Sequence, residues 1–500
     1  MKDEKILLKN ASSYLAKKEV IFVRQALDFA KEAHLGQRRL SGNEYIAHPL
    51  FVAKILSNLK LDAASIAAAL LHDVCEDTEI MPKELEKKFG PEITQIVLAL
   101  TKLKKISLDP KEAKLIDERA LIRIDSLRRI FFAMARDLRV VIIKIIDRLH
   151  NIKDINVFDR KKQLRIAKET LYIYAPLASR LGMGEFKTNL EDGAFKILNP
   201  LKYKEIKKHY QKILARAKKT IKKVSNILKQ KLKSVGIKAE ITSRVKNIYS
   251  IHKKLIKVRN NYDRLYDLLG IRLIVETNEE CYKVLGILHE SFRPIPGQFN
   301  DYIALPKLNG YQSIHTIVRI NHATPLELQV RTYKMDYQAN FGVASHFHYS
   351  EIIKPKDELK KGEIKTPKRE LQWIKELALW QTKIKDSKTF LKELKIDFFN
   401  DRIFVFTPKG EVKDLPQGST PIDLAYAVHS YIGDHACRVK IDGMIKSLDY
   451  KLGNGEMVEI MINKNQKGPN PDWLKFVKSA GAKDKIRSYI NKLKKSNSYI

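Results

Sequence analysis

Four titratable groups fall within about one helical turn of the stretch Ala69-Leu-Leu-His-Asp-Val-Cys-Glu-Asp-Thr78, which opens on apolar residues. Helical spacing of four pairs His72 with Glu76 and Asp73 with Asp77. Taken alone, the four read more readily as the solvated end of a helix. His48, after a glycine-containing polar stretch, adds a second imidazole, and Asp147, after the apolar run Val140-Val-Ile-Ile-Lys-Ile-Ile146, adds a second carboxylate partner for Asp73. Two imidazoles and two carboxylates suit Mn, Fe, Zn or Mg better than a metal that prefers thiolates.

A second group lies past residue 240. Leu326-Glu-Leu-Gln-Val-Arg331 alternates strictly, so Glu327, Gln329 and Arg331 share one strand face and Leu326, Leu328 and Val330 the other. A half-buried strand with a polar outer face explains that alternation; an acid, an amide and a guanidinium in a row also make an active-site wall. Asp267 precedes the strand-like Ile271-Arg-Leu-Ile-Val275, a common Mg2+ position in nucleotide chemistry. Tyr311, beside Gly310 in Asn309-Gly-Tyr-Gln-Ser-Ile-His315, is placed either for the core or to stack on a base. Arg244, Lys246, Lys253, Lys254 and Arg259 sit among short polar turns, where spaced cations can neutralise a triphosphate.

The elements that must hold these groups are legible by period. Residues 1–200 read as helical, with Val20 to His34 amphipathic and a second helix beginning near His48-Pro49. The spacing expects one helix to run through His72 to Asp77, and a turn at Asp147-Arg-Leu-His-Asn151. His34 and His150 read as supporting residues rather than ligands. Tyr203, Ile206, Tyr210, Ile213, Ala217, Ile221, Val224, Leu228 and Leu232 step by three and four, one long helix closed by Gly236. Residues 351–369 are charged and carry two prolines, a linker, and Leu371 to Leu394 reads as a helix. Ile403 to Thr407 and Val412 to Leu415 form a hairpin, a helix capped by Ser419-Thr-Pro421 is expected to reach Gly433, and strands follow near 437–441 and 457–462.

Bulk composition narrows the class. Five hundred residues allow two to four domains. Ninety-four Lys and Arg against 58 Asp and Glu give +36, which favours anionic partners, although solvated lysine faces account for part of it. Twenty of these cations lie between Lys202 and Asn260, against Glu205 and Glu240 alone. Three dispersed cysteines without a CxxC point to a reducing compartment. The first residues lack a signal-peptide layout and Lys144 breaks the longest apolar run, so a cytoplasmic protein with no membrane partner is expected.

Histidine, His-Asp and a distant Asp is the pattern of HD-type phosphohydrolases. More specifically, His34-Leu-Gly-Gln-Arg-Arg-Leu-Ser-Gly42, Tyr45-Ile-Ala-His-Pro49, His72-Asp-Val-Cys-Glu-Asp77, Asp147-Arg-Leu-His-Asn151 and Glu169-Thr-Leu-Tyr-Ile-Tyr-Ala-Pro resemble the hydrolase domain of the RelA/SpoT family of (p)ppGpp synthetase/hydrolases. The resemblance implies His48, His72, Asp73 and Asp147 as Mn2+ ligands, Glu76 and Asp77 as the acid/base pair, and Arg39 and Asn151 as nucleotide contacts. Arg244-Val-Lys-Asn-Ile-Tyr-Ser250, Tyr266-Asp-Leu-Leu-Gly-Ile-Arg272, Asn309-Gly-Tyr-Gln-Ser313, Glu327-Leu-Gln-Val-Arg-Thr332 and Gly342-Val-Ala-Ser-His346 resemble the family's synthetase domain. Here it implies Asp267 and Glu327 at Mg2+, with Glu327 either ligand or base. Tyr311 would lie against guanine, Arg244, Lys246, Lys254, Arg272 and Lys307 against phosphates, and Gln329 and His346 nearby. Residues 396–463 resemble the TGS domain, a β-grasp module in which His429 would contact uncharged tRNA.

The implied architecture is multidomain α plus α/β: an all-helical HD hydrolase domain (1–200), an α/β nucleotidyltransferase-like synthetase domain (201–350), a linker and helix (351–395), the TGS domain (396–463) and the start of a helical segment (464–500), without the family's zinc-finger and ACT domains. The implied function is bifunctional: pyrophosphate moves from ATP to the 3′-hydroxyl of GDP or GTP, and is removed again from (p)ppGpp. Partners would be ATP, GTP/GDP, (p)ppGpp, and through the TGS domain uncharged tRNA and the ribosome. Departures stand at Leu40 where the family has Lys, at Lys153-Asp154 for Arg-Thr, and at Gln298-Phe-Asn-Asp301 for Arg-Phe-Lys-Asp. A hydrolase with a weak or activator-dependent synthetase, and a non-catalytic tRNA- or ribosome-binding regulator, are the alternatives.

Overall fold

The computed structural model describes residues 2–104, 137–244, 246–262, 265, 268–307, 309–320, 324–346, 402–453, 455–466 and 468–496. The chain divides into two compact units, 1–379 and 380–500. The expected linker and helix at 351–395 lie outside the described residues.

The first unit begins with helices α1 (Lys2–Ser12), α2 (Lys17–Ala33), α3 (Ala47–Asn58), α4 (Ala63–Leu71), α5 (Val74–Asp77) and α6 (Pro82–Lys104). They continue with α7 (Leu138–Lys153), α8 (Arg160–Glu169), α9 (Ala175–Arg180) and α10 (Gly184–Leu198). Asp62 starts α4 by accepting the Ser65 N–H, and Asp137 starts α7 by accepting that of Arg139. Helix α4 is apolar but for Ser65, and α7 is buried along most of its length with Arg139, Lys144 and Asp147 among its buried residues, so both lie inside the bundle. Two sequence expectations change here. The helix through His72 is broken: α4 ends at Leu71, His72 caps it, and Asp73 opens the short α5. Asp147 to Asn151 is no turn but the interior of α7, so Asp147 and Asn151 share one helix face.

Helix α11 (Pro200–Ser234) is the expected long helix, capped by Asn199 and stopped where Gly236 takes φ +77°. Ile206 and Tyr210 pack on α12 (Ile248–Lys257), while Ala217, Val224, Leu228 and Leu232 pack on the sheet. Each such buried aliphatic side chain contributes about 1.5–3 kcal/mol. The sheet runs β1 (Glu240–Arg244), β2 (Gly270–Val275), β5 (Thr324–Thr332), β4 (Ile314–Ile320), β3 (Arg293–Asp301). Only β2 and β5 pair in parallel among these neighbours. Helices α13 (Asn278–Ser291) and α14 (Tyr333–Phe341) complete this part. Because β5 is central, its polar row is buried: Glu327, Gln329 and Arg331 are 7%, 2% and 2% exposed. The solvated outer face is thus replaced by a polar interior, which must be internally paired.

In the second unit β6 (Arg402–Phe406) and β7 (Val412–Pro416) form the expected hairpin, beside a three-stranded sheet ordered β10 (Val458–Ile462), β8 (Ala436–Ile441), β9 (Met444–Lys446). The expected helix to Gly433 is two, α15 (Pro421–Val428) and α16 (Ser430–Asp434), because His429 takes an extended backbone and caps the second. Helix α17 (Ala480–Ser496) packs on α15 through Ile422, Ala425, Trp473 and Ile486.

Candidate active sites

In the helical bundle, α3 carries His48, the α4–α5 break carries His72 and Asp73, and α7 carries Asp147; all four are buried. One donor atom from each of His48, His72 and Asp73 lies within 4.8 Å of the others. His48 Nε2 is 3.2 Å from Asp147 Oδ1 and 3.7 Å from Asp73 Oδ2. His72 Nδ1 sits 2.7 Å from the Ala69 carbonyl, which can only accept, so that nitrogen holds the ring proton. Its Nε2 then offers a lone pair, is buried without a hydrogen-bond partner, and faces Asp73 Oδ2 at 3.4 Å. A lone pair set against a carboxylate in a dry site is repulsive unless a cation lies between them. These residues therefore fit a divalent metal ion.

The surroundings tune the set. Burial pushes His48 down, so it stays a neutral donor. Burial pushes Asp147 up, but the Lys144 ammonium at 2.7 Å, and then His48, hold it well below the usual carboxylate range. Tyr45, which the sequence reading passed over, places its hydroxyl 2.5 Å from Asp77 Oδ2 and 3.0 Å from Asp73 Oδ2. Having one proton, it donates to one and orients both. The signal was present: Tyr45 stands one turn before His48. His34 stacks on Tyr45 at 4.6 Å, the supporting role expected of it.

A cavity of about 470 Å³ opens on this centre. Its lining includes His48, Asp73, Asp77 and Asp147, the cations Arg39, Arg148, Lys162 and Arg165, and the rings of Tyr45, Phe158 and Tyr174. Glu76 is half-buried and lies outside that lining, so the structure brings Asp77 to the cavity but not its partner. Arg39 Nη1 lies 2.9 Å from His150 Nδ1 and 3.0 Å from Asp154 Oδ2, and its Nη2 donates to Asn151 Oδ1 at 3.1 Å. Asn151 in turn donates to Asp147 at 2.7 Å. The departure at Asp154 thus meets Arg39 directly.

The second candidate site is set by strand register. Arg244 lies opposite Gly270 and Gly270 beside Glu327, while Arg272 lies beside Gln329 and Gln329 opposite His315. Gly270 has no side chain between Arg244 and Glu327, and a Cβ there would come 3.3 Å from that of Arg244. Arg244 accordingly crosses to form an ion pair with Glu327. Glu327 Oε1 also accepts from Gln329 Nε2 at 3.1 Å and lies 3.3 Å from His315 Nδ1. Burial pushes Glu327 up, yet His315 and Arg244 together hold it down to about 2. Arg272 and Arg331 both reach Asp336, at 3.3 and 2.6 Å. Lys307 Nζ stands 5.2 Å from the Tyr311 ring and 4.3 Å from that of Tyr302. Lys246 is buried beside Tyr210, to whose hydroxyl its backbone N–H donates. Lys254 is exposed on α12, and His346 ends the turn Gly342–His346. Asp267 lies outside the described residues. His315, which the sequence gives only as the end of the Tyr311 stretch and without a role, joins the two site residues Tyr311 and Glu327. In the second unit His429 is exposed, its Nδ1 accepting the Tyr431 N–H at 3.1 Å.

A buried His/Asp centre in a helical bundle, followed by an α/β region with a paired acid on its central strand, defines a two-site class of protein. Three family models match: the HD domain over residues 26–184, the region found in RelA / SpoT proteins over 243–354, and the TGS domain over 403–462. A GTP pyrophosphokinase of Myxococcus xanthus is 39% identical over 97% of this chain and 62% of its own. A guanosine-3′,5′-bis(diphosphate) 3′-pyrophosphohydrolase of Aquifex aeolicus is 40% identical over 94% of this chain and 64% of its own. The bifunctional (p)ppGpp synthase/hydrolase SpoT of Escherichia coli is 39% identical over 97% of this chain and 67% of its own. The chain belongs to the RelA/SpoT family, and it spans roughly three fifths of the length of the first of these relatives. Among the described residues no helix is long and apolar enough to cross a membrane.

Proposed function

We propose that this chain is a bifunctional alarmone enzyme that makes (p)ppGpp at the Glu327 site and removes its 3′-pyrophosphate at the His48 site. The observation that carries the reading is the co-occurrence in one chain of a buried His–His–Asp donor set and a buried, ionised glutamate paired with Arg244. At the first site His48, His72, Asp73 and Asp147 would hold Mn2+. When bound, such a cation acidifies a water toward neutrality. Asp77, oriented by Tyr45, would manage the proton, while Arg39 and Asn151 hold the nucleotide. The cations along the cavity wall suit the phosphates of the substrate.

At the second site the 3′-oxygen of GDP or GTP would attack the β-phosphorus of ATP. The bond from that phosphorus to the α,β-bridging oxygen breaks and AMP leaves. Glu327 would take the hydroxyl proton or hold Mg2+ with Asp267, and Tyr311 would lie against the guanine. Arg244, Lys246, Lys254, Arg272, Lys307, Gln329 and His346 would contact the nucleotides, in a reaction driven by positioning and charge neutralisation. The domain limits would be 1–200, 201–350, 396–463 and 464–500, with 351–395 connecting. His429 and the TGS domain would meet uncharged tRNA and the ribosome, in the cytoplasm.

Nucleotide chromatography tests this under two conditions, ATP plus GDP with Mg2+ and ppGpp with Mn2+. Product in both is expected, with Glu327→Gln silencing only synthesis and Asp73→Asn only hydrolysis. Hydrolysis alone would overturn the bifunctional reading in favour of a hydrolase whose synthetase is weakened at Gln298 and Asn300 or depends on an activator. Salt-steep tRNA binding without turnover would make the chain a regulator and overturn the reading.

A further inference from the structure

Tyr311, His315 and Glu327 form a directed chain of contacts. Tyr311 Oη lies 2.7 Å from His315 Nε2, and His315 Nδ1 lies 3.3 Å from Glu327 Oε1. An ionised carboxylate only accepts, so Nδ1 must carry the imidazole proton and Nε2 its lone pair; Tyr311 then donates to His315. The imidazole has one orientation that satisfies both ends. Its ring is also held edge-on by Tyr302 at 5.3 Å and by Tyr311 at 5.7 Å. Its strand position opposite Gln329 aims it at the same carboxylate oxygen that Gln329 binds. Glu327 therefore has Oε1 fixed by His315 and Gln329 and Oε2 by Arg244.

We propose that His315 is a positioning residue that transmits the placement of the Tyr311 ring to the Glu327 carboxylate. The inference rests on the synthetase reading above and extends it. Tyr311 sits in the loop 309–313 rather than in the sheet, and its ring is only half-buried, which leaves part of it open to a ligand. A purine stacked there, beside the Lys307 ammonium, fixes the ring; the hydroxyl then fixes the imidazole, and the imidazole fixes the oxygen that must meet the acceptor hydroxyl. An acceptor whose base does not seat on Tyr311 leaves the imidazole unheld at Nε2, so Oε1 keeps only its Gln329 contact as a fixed partner while Arg244 holds Oε2. The acceptor base is thereby read in the turnover step as well as in binding, because a misplacement of about 1 Å can cost on the order of a hundredfold in rate.

The test is steady-state synthesis from ATP and GDP by the full chain with Mg2+. Tyr311→Phe keeps the stacking ring and removes the link. It is expected to leave KM for GDP within about twofold while kcat falls on the order of tenfold or more. Asparagine reproduces the Nδ1 donor of histidine and glutamine the Nε2 position. His315→Asn should therefore retain clearly more kcat than His315→Gln, and His315→Phe least. Equal kcat for Tyr311→Phe and the parent chain, or equal loss in all three His315 variants at equal thermal stability, overturns the relay while leaving the synthetase reading intact. No product from the parent chain overturns both.

Discussion

Asn309 donates from Nδ2 to the Ser179 carbonyl at 2.9 Å, tying the turn that carries Tyr311 to the end of the helical bundle. The contact is reinforced where Val343 N–H donates to the Leu181 carbonyl at 2.8 Å. Gly182 lies between them at φ +70°, and a Cβ there would come 2.8 Å from the Asn309 carbonyl oxygen. Gly182→Ala is therefore strained in backbone and clashes across this seam. It is expected to change synthesis and hydrolysis together, although it touches neither Glu327 nor the His48 centre. Rates of both reactions in one preparation check this. A fragment lacking residues 1–200 with an unchanged synthesis rate, together with a 1–200 fragment with an unchanged hydrolysis rate, would remove the case for coupling.

Lys144 and Asp147 are a buried ion pair, and Lys144→Met leaves the carboxylate without its cation. Breaking such a pair costs about 3–5 kcal/mol. A lower melting temperature is expected in chelator. Saturating Mn2+ should raise it by more in the variant than in the parent, because the metal ion replaces the missing charge. Melts with and without Mn2+ decide it, and an equal Mn2+ shift in both proteins counts against the metal assignment.

Glu327 titrates at about 2 against an ordinary 4.5, so the unfolded chain takes up the proton first as pH falls. Its contribution, roughly 3 kcal/mol, is complete above the unfolded value and is lost as pH drops from there through about 2. Glu327→Gln lacks this term. The stability difference between parent and variant should narrow by about 1 kcal/mol between pH 7 and about pH 3.5, as read by urea melts.

Gln298 and Asn300 lie exposed on β3, and Asn300 is the strand partner of His315. Gln298→Arg with Asn300→Lys places two cations on the strand next to the candidate site. KM for GDP or GTP is expected to fall several-fold with melting temperature unchanged. A KM that does not move would show that these positions do not face the acceptor.

The candidate site residues stood out in the sequence because their types are costly to bury and contrast with an apolar period: His72-Asp73 after an alanine-rich helix, Asp147 after an isoleucine run, Glu327 in an alternating strand. The long basic helix and the hairpin followed from period and turn residues, which are local properties. What sequence alone could not decide is where side chains from different elements meet. The break at His72-Asp73 is imposed by packing, since both sides of it would continue as helix by period. Burial of both faces of β5 follows from its place at the centre of the sheet, not from its alternation. Tyr45, Lys144 and His315 carry no role that the sequence shows until folding sets their polar atoms against Asp77, Asp147 and Glu327. Those contacts join residues 32, 3 and 12 positions apart in sequence. The first and last of them link different elements, and only strand register and helix packing can specify such contacts.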